Sequence, residues 1–146
     1  MSHTFRCDCP FTSAIDVVGD KWMLVIVKLM LLEGKKTFKD FIESEEHIAT
    51  NILSAKLKLL EELGIITKSK LPNNKKTNLY LLTDRGLALT PILLELAVWS
   101  NQQLRDLHPT ILDGEGLKRI REDKSGFTQW LIEHYRSQHE GLLHAS

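Results

Sequence analysis

The chain has 146 residues, and its 19 lysine and arginine residues balance its 19 aspartate and glutamate residues, so its formal net charge is zero. A composition of 42% hydrophobic and 26% charged residues is typical of a globular protein and excludes a disordered chain. The length fits one ordinary domain, and the only two cysteines, Cys7 and Cys9, are too few for a disulfide framework.

The hydrophobic residues are spread along the chain. The longest uninterrupted apolar run, Trp22 to Val27, is far shorter than the roughly 20 residues of a membrane-spanning helix. The N-terminus carries Arg6 and Asp8 among few apolar residues, which is not the pattern of a signal peptide. We therefore expect a cytoplasmic protein with no membrane partner.

The N-terminal part of the chain has the spacing of two helices. Between residues 13 and 32, apolar side chains recur every three or four positions, and Gly19-Asp20 interrupts the pattern. This predicts one helix that ends near Val18 and a second from Asp20 to Leu32. Gly34 is expected to cap the second helix.

Two further helices are predicted next. Thr37 and Asp40 have the spacing of a capping box, which predicts a short helix from Phe38 to Ser44. A longer helical pattern follows His47 and ends at Gly64. One side of this longer helix is apolar: Ile52, Leu53, Leu57, Leu60 and Leu63.

A β-hairpin follows. Residues 65–67 and 79–82 are β-prone, and Pro72-Asn73-Asn74 between them is rich in turn formers. Thr83-Asp84 then starts a helix, and Pro91 suits the first turn of another. The fold is thus expected to be mainly α with a small β-hairpin (α+β).

The tail is predicted to be helical as well. Two short helices, from Glu115 to Lys124 and from Phe127 to Gln138, are expected on either side of Ser125-Gly126. We divide the chain into one domain over residues 1–108, which includes the N-terminal helices and the helix after Pro91, and a C-terminal helical extension over residues 109–146.

A short helix, a turn, a second helix and a two-stranded ribbon form the winged variant of the helix-turn-helix. In that fold the second helix, the recognition helix, can lie in the DNA major groove while the ribbon, the wing, reaches the backbone. Residues 54–78, which include most of the second helix and the first part of the ribbon, hold six lysines against two glutamates, a balance of +4. This local charge favours double-stranded DNA as the partner. The alternative is an ordinary solvated lysine face.

The outer face of the recognition helix supplies the candidate DNA contacts. With the leucines turned to the core, positions 51, 54, 55, 58 and 62 face outward. Asn51 can bind adenine bidentately, and Thr50 can offer its methyl to thymine or its hydroxyl to phosphate. Ser54 and Lys58 suit backbone contacts. The alternative for Thr50 and Asn51 is that they only cap the helix.

The wing and the last helix of the domain add two expectations. Lys75 and Lys76 lie at the predicted wing tip, where mobile charges suit phosphate; a solvated loop is the alternative. The helix after Pro91 has more apolar residues than one small layer needs, which predicts a homodimer held by terminal helices. These residues are Leu93, Leu96, Trp99 and Leu104.

From Cys9 to Trp99 the sequence resembles the HxlR-type family of bacterial winged-helix transcriptional regulators. The resemblance covers 91 of the 146 residues. It implies a cytoplasmic, dimeric, DNA-binding repressor or activator. The ordered set of matching residues is Cys9-Pro10, Gly19, Lys21-Trp22, Gly34, Phe38, Phe41, Ile48, Leu53, Leu57, Leu60, Gly64-Ile65, Pro72, Tyr80, Thr83, Gly86 and Trp99.

The resemblance also assigns roles to particular positions. Where the family often has an arginine before the helix-2 phenylalanine, this chain has Lys36 and Thr37, which become DNA-contact candidates. The serine often found before the recognition helix is Ala49 here, so Thr50 or a residue just before it must supply any cap. Some family members use a cysteine at the position of Cys9 to sense oxidants or electrophiles.

Cys9 is therefore a redox-sensing candidate, with a small electrophile or oxidant as a further partner. Arg6 could lower the pKa of its thiol, whereas Asp8 would oppose that. The alternative is a small, partly buried hydrophobe. His3 near the two cysteines is a weak metal pattern, and we expect no metal.

Two other classes of protein remain open. A winged helix can serve as a protein-interaction module without sequence-specific DNA binding, which a neutral net charge would permit. An enzyme is not expected, because the chain has no P-loop, Gly-rich dinucleotide turn, HExxH sequence or nucleophile elbow. We expect no cofactor.

Overall fold

The computed structural model describes residues 4–143, which form eight helices and one two-stranded sheet. Two compact units are present: the first runs to Leu87 and includes the end of α8 from Glu140, and the second holds residues 88–139. Within residues 4–143, every helix is too short or too polar to cross a bilayer. The elements are α1 (Pro10–Val18), α2 (Met23–Glu33), α3 (Phe38–Ile42), α4 (Thr50–Glu62), β1 (Ile66–Leu71), β2 (Asn74–Leu82), α5 (Asp84–Leu87), α6 (Thr90–Gln103), α7 (Glu115–Glu122) and α8 (Lys124–Leu143).

The first two helices form as the apolar spacing predicts. Helix α1 ends at Val18, but α2 begins at Met23 rather than Asp20. The side chain of Asp20 instead accepts the backbone N–H of Trp22 at 2.6 Å, so it lies ahead of α2 and satisfies a free amide there. Gly34 closes α2 with φ 67°, a left-handed conformation that favours glycine.

Helix α3 begins with the predicted capping box. Thr37 Oγ1 accepts the N–H of Asp40 at 3.2 Å, and Asp40 Oδ2 accepts the N–H of Thr37 at 3.2 Å. The helix ends at Ile42, earlier than the predicted Ser44, because Glu43 is already its C-cap.

The hairpin is antiparallel and longer than the β-prone runs predicted. Its register pairs Ile66 with Leu82 and continues to the pair Lys70–Asn78, after which the pairing is irregular. The turn contains Pro72-Asn73, and Asn74 belongs to β2 rather than to the turn. Polar residues extend the strands beyond the apolar runs because backbone pairing does not need apolar side chains.

One apolar core holds the first unit together. It fixes the positions of α3 and α4 against the hairpin, since each element contributes side chains to it. Phe41 of α3 is fully buried, and its ring centroid lies 6.3 Å from that of Tyr80 on β2 in an edge-on contact. The other large side chains with almost no exposed surface are Met23, Ile26, Leu29, Met30, Leu53, Leu60, Ile66, Leu79 and Leu82.

The second unit has its own small core, formed by one buried residue from each of its three helices. Beside it, the buried Asn101 donates to the Leu112 carbonyl and accepts from Arg121 Nη1, both at 3.0 Å, which ties the loop before α7 to α6. The core residues are Leu94, Ile120 and Leu131, with Val98, Leu117 and Phe127 packed against them.

The two helices predicted for the tail are present as α7 and α8, but the break between them lies at Asp123 and not at Ser125-Gly126. A single helix, α8, runs from Lys124 to Leu143. Asp123 ends α7 and accepts the Gly126 N–H at 3.0 Å, so this glycine lies in the first turn of α8. A β-carbon at Gly126 would lie only 2.1 Å from Asp123 Oδ2, which is why a glycine fits inside this helix.

The mainly α fold with a small hairpin is confirmed. The division into residues 1–108 and 109–146 stays a prediction, and its ends, residues 1–3 and 144–146, lie outside the described residues.

Candidate nucleic-acid interface

The turn between α3 and α4 fixes the start of the recognition helix. Ser44 is buried, and its hydroxyl donates to the Phe41 carbonyl at 2.7 Å. His47 adopts a left-handed φ of 54°, which reverses the chain before α4. Lys28 on α2 donates to Glu46 in this turn at 2.6 Å. The turn is thereby held to the apolar core on one side and to α2 on the other.

The outer face of α4 is as predicted. Asn51, Ser54, Lys58 and the other predicted outward positions are exposed. On the opposite side, Leu53, Leu57 and Leu60 are buried, and Leu63 is half-buried. The N-cap of α4 is Ala49, the residue just before Thr50, and it makes no side-chain cap hydrogen bond. Thr50 is the first helical residue, so of the two alternatives the N-cap position falls on the residue before it. Both Thr50 and Asn51 are exposed at the free end of α4.

Lys56 does not share this face. Its ammonium pairs with the carboxylate of Asp20, and its side chain is only 24% exposed. Lys58, one helical half-turn away, is exposed. The positive charge that α4 presents to solvent therefore comes from Lys58 and not from Lys56.

A cleft of about 390 Å³ lies between α4 and the wing. Helix α4 contributes Ser54 and Lys58, and the hairpin contributes Lys68 and Asn78. Lys70 donates to Asn78 at 2.7 Å beside it. The cleft is also lined by Phe38, Leu57, Glu61 and Tyr80.

From the sequence, Lys68 and Lys70 are expected on the wing as part of the lysine cluster, but neither they nor Asn78 were predicted as DNA contacts. Their alternation along paired strands places them on one face of the hairpin. That alternation is a signal the sequence did contain. Its extent was hidden because the predicted strands were too short.

The two wing-tip lysines lie where the sequence placed them. Lys75 and Lys76 are exposed and follow the turn within one or two residues of Asn74. The Lys76 N–H donates to Asn74 Oδ1 at 3.1 Å, which organises the backbone at the tip.

Lys36 and Thr37 lie beside the hairpin. The Lys36 carbonyl accepts the N–H of Tyr80 at 2.8 Å, so the segment before α3 runs along β2. The Thr37 hydroxyl caps α3 and is partly buried. Thr37 therefore has a structural role as the N-cap of α3, which does not depend on any contact with DNA.

Cys9 lies at the N-cap of α1, and both Cys9 and Cys7 are exposed free thiols. The backbone N–H of Thr12, its hydroxyl, and the N–H of Phe11 lower the pKa of the Cys9 thiol. Arg6, the predicted cause, instead pairs with Asp16 at 2.6 Å. The helix N-terminus rather than a cation favours the thiolate.

His3 lies outside the described residues. Among residues 4–143, no group of three or more His, Cys, Asp or Glu side chains is arranged to hold a metal ion.

Each unit also has an exposed apolar face. On α1, Phe11 and Ile15 are 84% and 59% exposed. On α6, Ile92, Leu96 and Trp99 form one exposed stripe, and they line an apolar groove of about 660 Å³ with Pro91, Glu95 and Lys124.

A short helix, a turn, an exposed polar second helix and a lysine-bearing hairpin define a winged helix-turn-helix protein. The sequence profile of the HxlR-like helix-turn-helix family matches residues 17–108. The chain therefore belongs to this family and is a DNA-binding transcriptional regulator. Helices α7 and α8 lie beyond the matched residues.

Individual relatives agree with this assignment. The HTH-type transcriptional regulator YvaP of Bacillus subtilis (strain 168) is 33% identical over 106 residues, which cover 72% of this chain and 94% of YvaP. The reduced form of the transcriptional regulator YodB from B. subtilis superposes with a TM-score of 0.56 at 31% identity over 66% of this chain and 95% of YodB. The redox regulator HypR in its reduced form gives 0.58 at 29% identity over 70% of this chain and 99% of HypR.

Proposed function

We propose that this regulator binds a two-fold symmetric DNA operator as a homodimer, with the outer face of α4 in the major groove and the wing on the phosphate backbone. The observation that carries the proposal is the cleft between α4 and the wing, where Lys58 of α4 and Lys68 of the wing line one surface. A duplex entering along this face would meet positive charge from both elements.

The proposed contact residues divide into two roles. Thr50 and Asn51, at the free N-terminal end of α4, read base edges, since the first residues of a recognition helix usually do so. Six other residues position the backbone through phosphate contacts, and the Thr37 hydroxyl can donate to phosphate while it accepts as a cap. These six are Lys36, Thr37, Ser54, Lys58, Lys75 and Lys76.

This division of roles predicts different effects of two substitutions. Asn51→Ala is expected to weaken binding to the operator by about 1–3 kcal/mol and to relax the preferred base at one position. Lys75→Ala should weaken binding to every sequence alike, because phosphate contacts carry no sequence information. The measurement is a titration of each variant against two duplexes of the same composition: the operator duplex, defined as the tightest binder selected from a random library, and a scrambled duplex.

The dependence of binding on salt concentration serves as the control. The logarithm of the binding constant should fall with the logarithm of salt concentration, and Lys75→Ala or Lys76→Ala should reduce that slope by about one, while Asn51→Ala leaves it unchanged. Equal losses on both duplexes for Asn51→Ala would contradict its reading role. A parent protein that does not prefer the operator duplex would contradict the proposed function.

The homodimer is proposed to form through the terminal helices. The exposed stripe on α6 and the exposed residues Phe11 and Ile15 on α1 support it, because such contiguous apolar faces mark interaction sites. Two-fold symmetry would place two recognition helices about one DNA turn apart. Residues 109–146 are proposed to be a helical extension of residues 1–108.

We further propose that Cys9 senses oxidants or small electrophiles. Its support is an exposed free thiol with a lowered pKa at the start of α1. Structures of the relative YodB in quinone-bound and diamide-treated forms, and of HypR in its oxidised form, show that relatives of this chain meet such reagents. The proposal includes no catalytic step, cofactor or metal, and it places the protein in the cytoplasm with the chromosome.

A further inference from the structure

One ion pair joins two distant parts of the first unit. Lys56 lies in the middle of α4, and Asp20 lies between α1 and α2, 36 residues earlier. One carboxylate oxygen of Asp20 accepts from the Lys56 ammonium, and the other accepts the Trp22 N–H at 2.6 Å. The side chain of Asp20 thereby links the start of α2 to the recognition helix.

The pair is partly shielded from solvent. The Lys56 side chain is 24% exposed and that of Asp20 is 36% exposed. Partial burial alone would raise the pKa of Asp20, but the hydrogen bond from Lys56 and that from the Trp22 amide lower it on balance. The carboxylate is therefore charged at neutral pH, and the pair is less screened by salt than a surface pair.

The position of Lys56 on α4 allows the ion pair to restrain the orientation of this helix. Leu53, Leu57 and Leu60 bury one side of α4, which fixes its depth in the unit. Lys56 lies on the flank of this stripe, between the buried side and the exposed face that carries Asn51 and Lys58. A charged contact on the flank opposes rotation and sliding of α4, the two motions that would misplace Asn51.

We propose that Asp20 is a positioning residue for DNA recognition: through Lys56 it anchors the recognition helix to the joint between α1 and α2, and Lys56 itself makes no phosphate contact. The proposal rests on the proposed binding of DNA by α4. It gives the two lysines of α4 different roles: Lys58 contacts the DNA backbone, whereas Lys56 sets the orientation of the residues that read bases.

The test uses full-length variants that change only this contact. Lys56→Met keeps the apolar stem of the side chain and removes its charge. Asp20→Ser keeps an acceptor for the Trp22 amide but is too short to reach Lys56. Asp20→Asn is a milder change, because it removes the charge of the side chain and keeps its length. The double variant Asp20→Ser/Lys56→Met completes a cycle, and Lys58→Met is the matched control on α4. Each protein is titrated by fluorescence anisotropy against the operator and scrambled duplexes over a range of salt concentrations.

The expected result is specific to sequence reading. Lys56→Met and Asp20→Ser should each lower the affinity for the operator duplex about fivefold, the double variant should lose no more than either single variant, and the scrambled duplex should bind as before. The salt slope should stay at the parent value. Lys58→Met should weaken both duplexes and reduce the slope by about one.

Any of the following results would overturn the proposal: a salt slope for Lys56→Met that falls as it does for Lys58→Met, additive losses in the cycle, or tighter binding of every duplex by Asp20→Ser. The ratio of operator to scrambled affinity does not depend on the folded fraction, so it tests the proposal even for a variant that is partly unfolded. An unchanged ratio counts against the proposal. A parent protein without any preference for the operator duplex would instead refute the proposed function.

Discussion

The thiol of Cys9 differs from that of an ordinary exposed cysteine because of the residues that follow it. The amides of Thr12 and Phe11 and the Thr12 hydroxyl stabilise the thiolate, so they lower the pKa of Cys9 without any nearby cation. The thiolate is the form that attacks oxidants and electrophiles. Because its pKa is lowered, Cys9 keeps its thiolate form at a lower pH than an ordinary cysteine does. The thiolate is lost as the pH falls through this lowered pKa.

We predict that a mild oxidant or a quinone weakens operator binding through Cys9. Cys9→Ser should abolish the response, and Cys7→Ser should keep most of it, because Cys9 is the thiol at the N-cap of α1. The measurement is a mobility-shift titration of the three proteins with and without reagent. A Cys9→Ser protein that responds like the parent would show that the signal enters elsewhere.

The pH dependence of the same reaction identifies the cause. In the Cys7→Ser background, the rate of reaction of Cys9 should rise with pH to a plateau whose midpoint lies below the ordinary thiol pKa. Thr12→Ala should move this midpoint upward by removing one hydrogen bond to the thiolate. Ser13→Ala is the control, since the Ser13 hydroxyl donates to the Cys7 carbonyl and leaves Cys9 alone.

Among the elements, α3 and α4 begin in opposite ways. Helix α3 has a complete capping box, whereas α4 begins after Ala49, which has no side-chain acceptor. Ala49 is exposed and has the extended φ −63° and ψ 142° typical of an N-cap. The recognition helix therefore leaves its first amides free at the end proposed to face DNA, at a cost in stability.

We predict that Ala49→Ser stabilises the protein by about 1 kcal/mol, because the serine hydroxyl would accept an amide of the first turn. Thermal melting without DNA is the measurement. Ala55→Ser, an exposed substitution in the middle of α4, is the matched control and should cost a few tenths of a kcal/mol through helix propensity. A melting temperature for Ala49→Ser at or below that of the control would contradict the cap assignment.

What the sequence could predict depended on how local the signal was. The capping box at Thr37, the left-handed Gly34 and the outer face of α4 depend on residues within one or two turns, and all were predicted. The contact between Asp20 and Lys56 was missed because it joins residues far apart in sequence, which no periodicity relates. The start of α8 was misplaced because Ser125-Gly126 alone is typical of a break, whereas Asp123 accepts the Gly126 N–H and the glycine lies within the first turn.

At the scale of the whole molecule, a neutral net charge and a DNA-binding face coexist because the charges are segregated. Exposed lysines lie on the wing, and Lys58 lies on the outer face of α4, while Asp20 neutralises Lys56 and Glu46 neutralises Lys28 within the unit. Net charge alone therefore says little about whether a chain binds DNA.

The apolar residues are segregated as well. On α6, Leu94 and Val98 pack into the core of the second unit, whereas the stripe of Ile92, Leu96 and Trp99 is exposed on another side of the helix. Single exposed apolar side chains are ordinary, but a stripe along a groove of about 660 Å³ is typical of an interface. We expect a second copy of the chain to cover it, since a two-fold dimer contacts DNA with two recognition helices.

We predict that the parent protein is a dimer at micromolar concentration and that Leu96→Glu makes it a monomer, because the carboxylate would be buried without a partner in the interface. Leu96 is 46% exposed, so the substitution leaves the core of the second unit intact. Gln102→Glu adds the same charge at an exposed polar position of α6 and should stay dimeric. Sedimentation velocity gives the masses, and the operator affinity of Leu96→Glu should fall more than about tenfold because each monomer then binds one half-site alone. A monomeric parent would contradict the homodimer itself. A dimeric Leu96→Glu protein would show that the interface lies elsewhere.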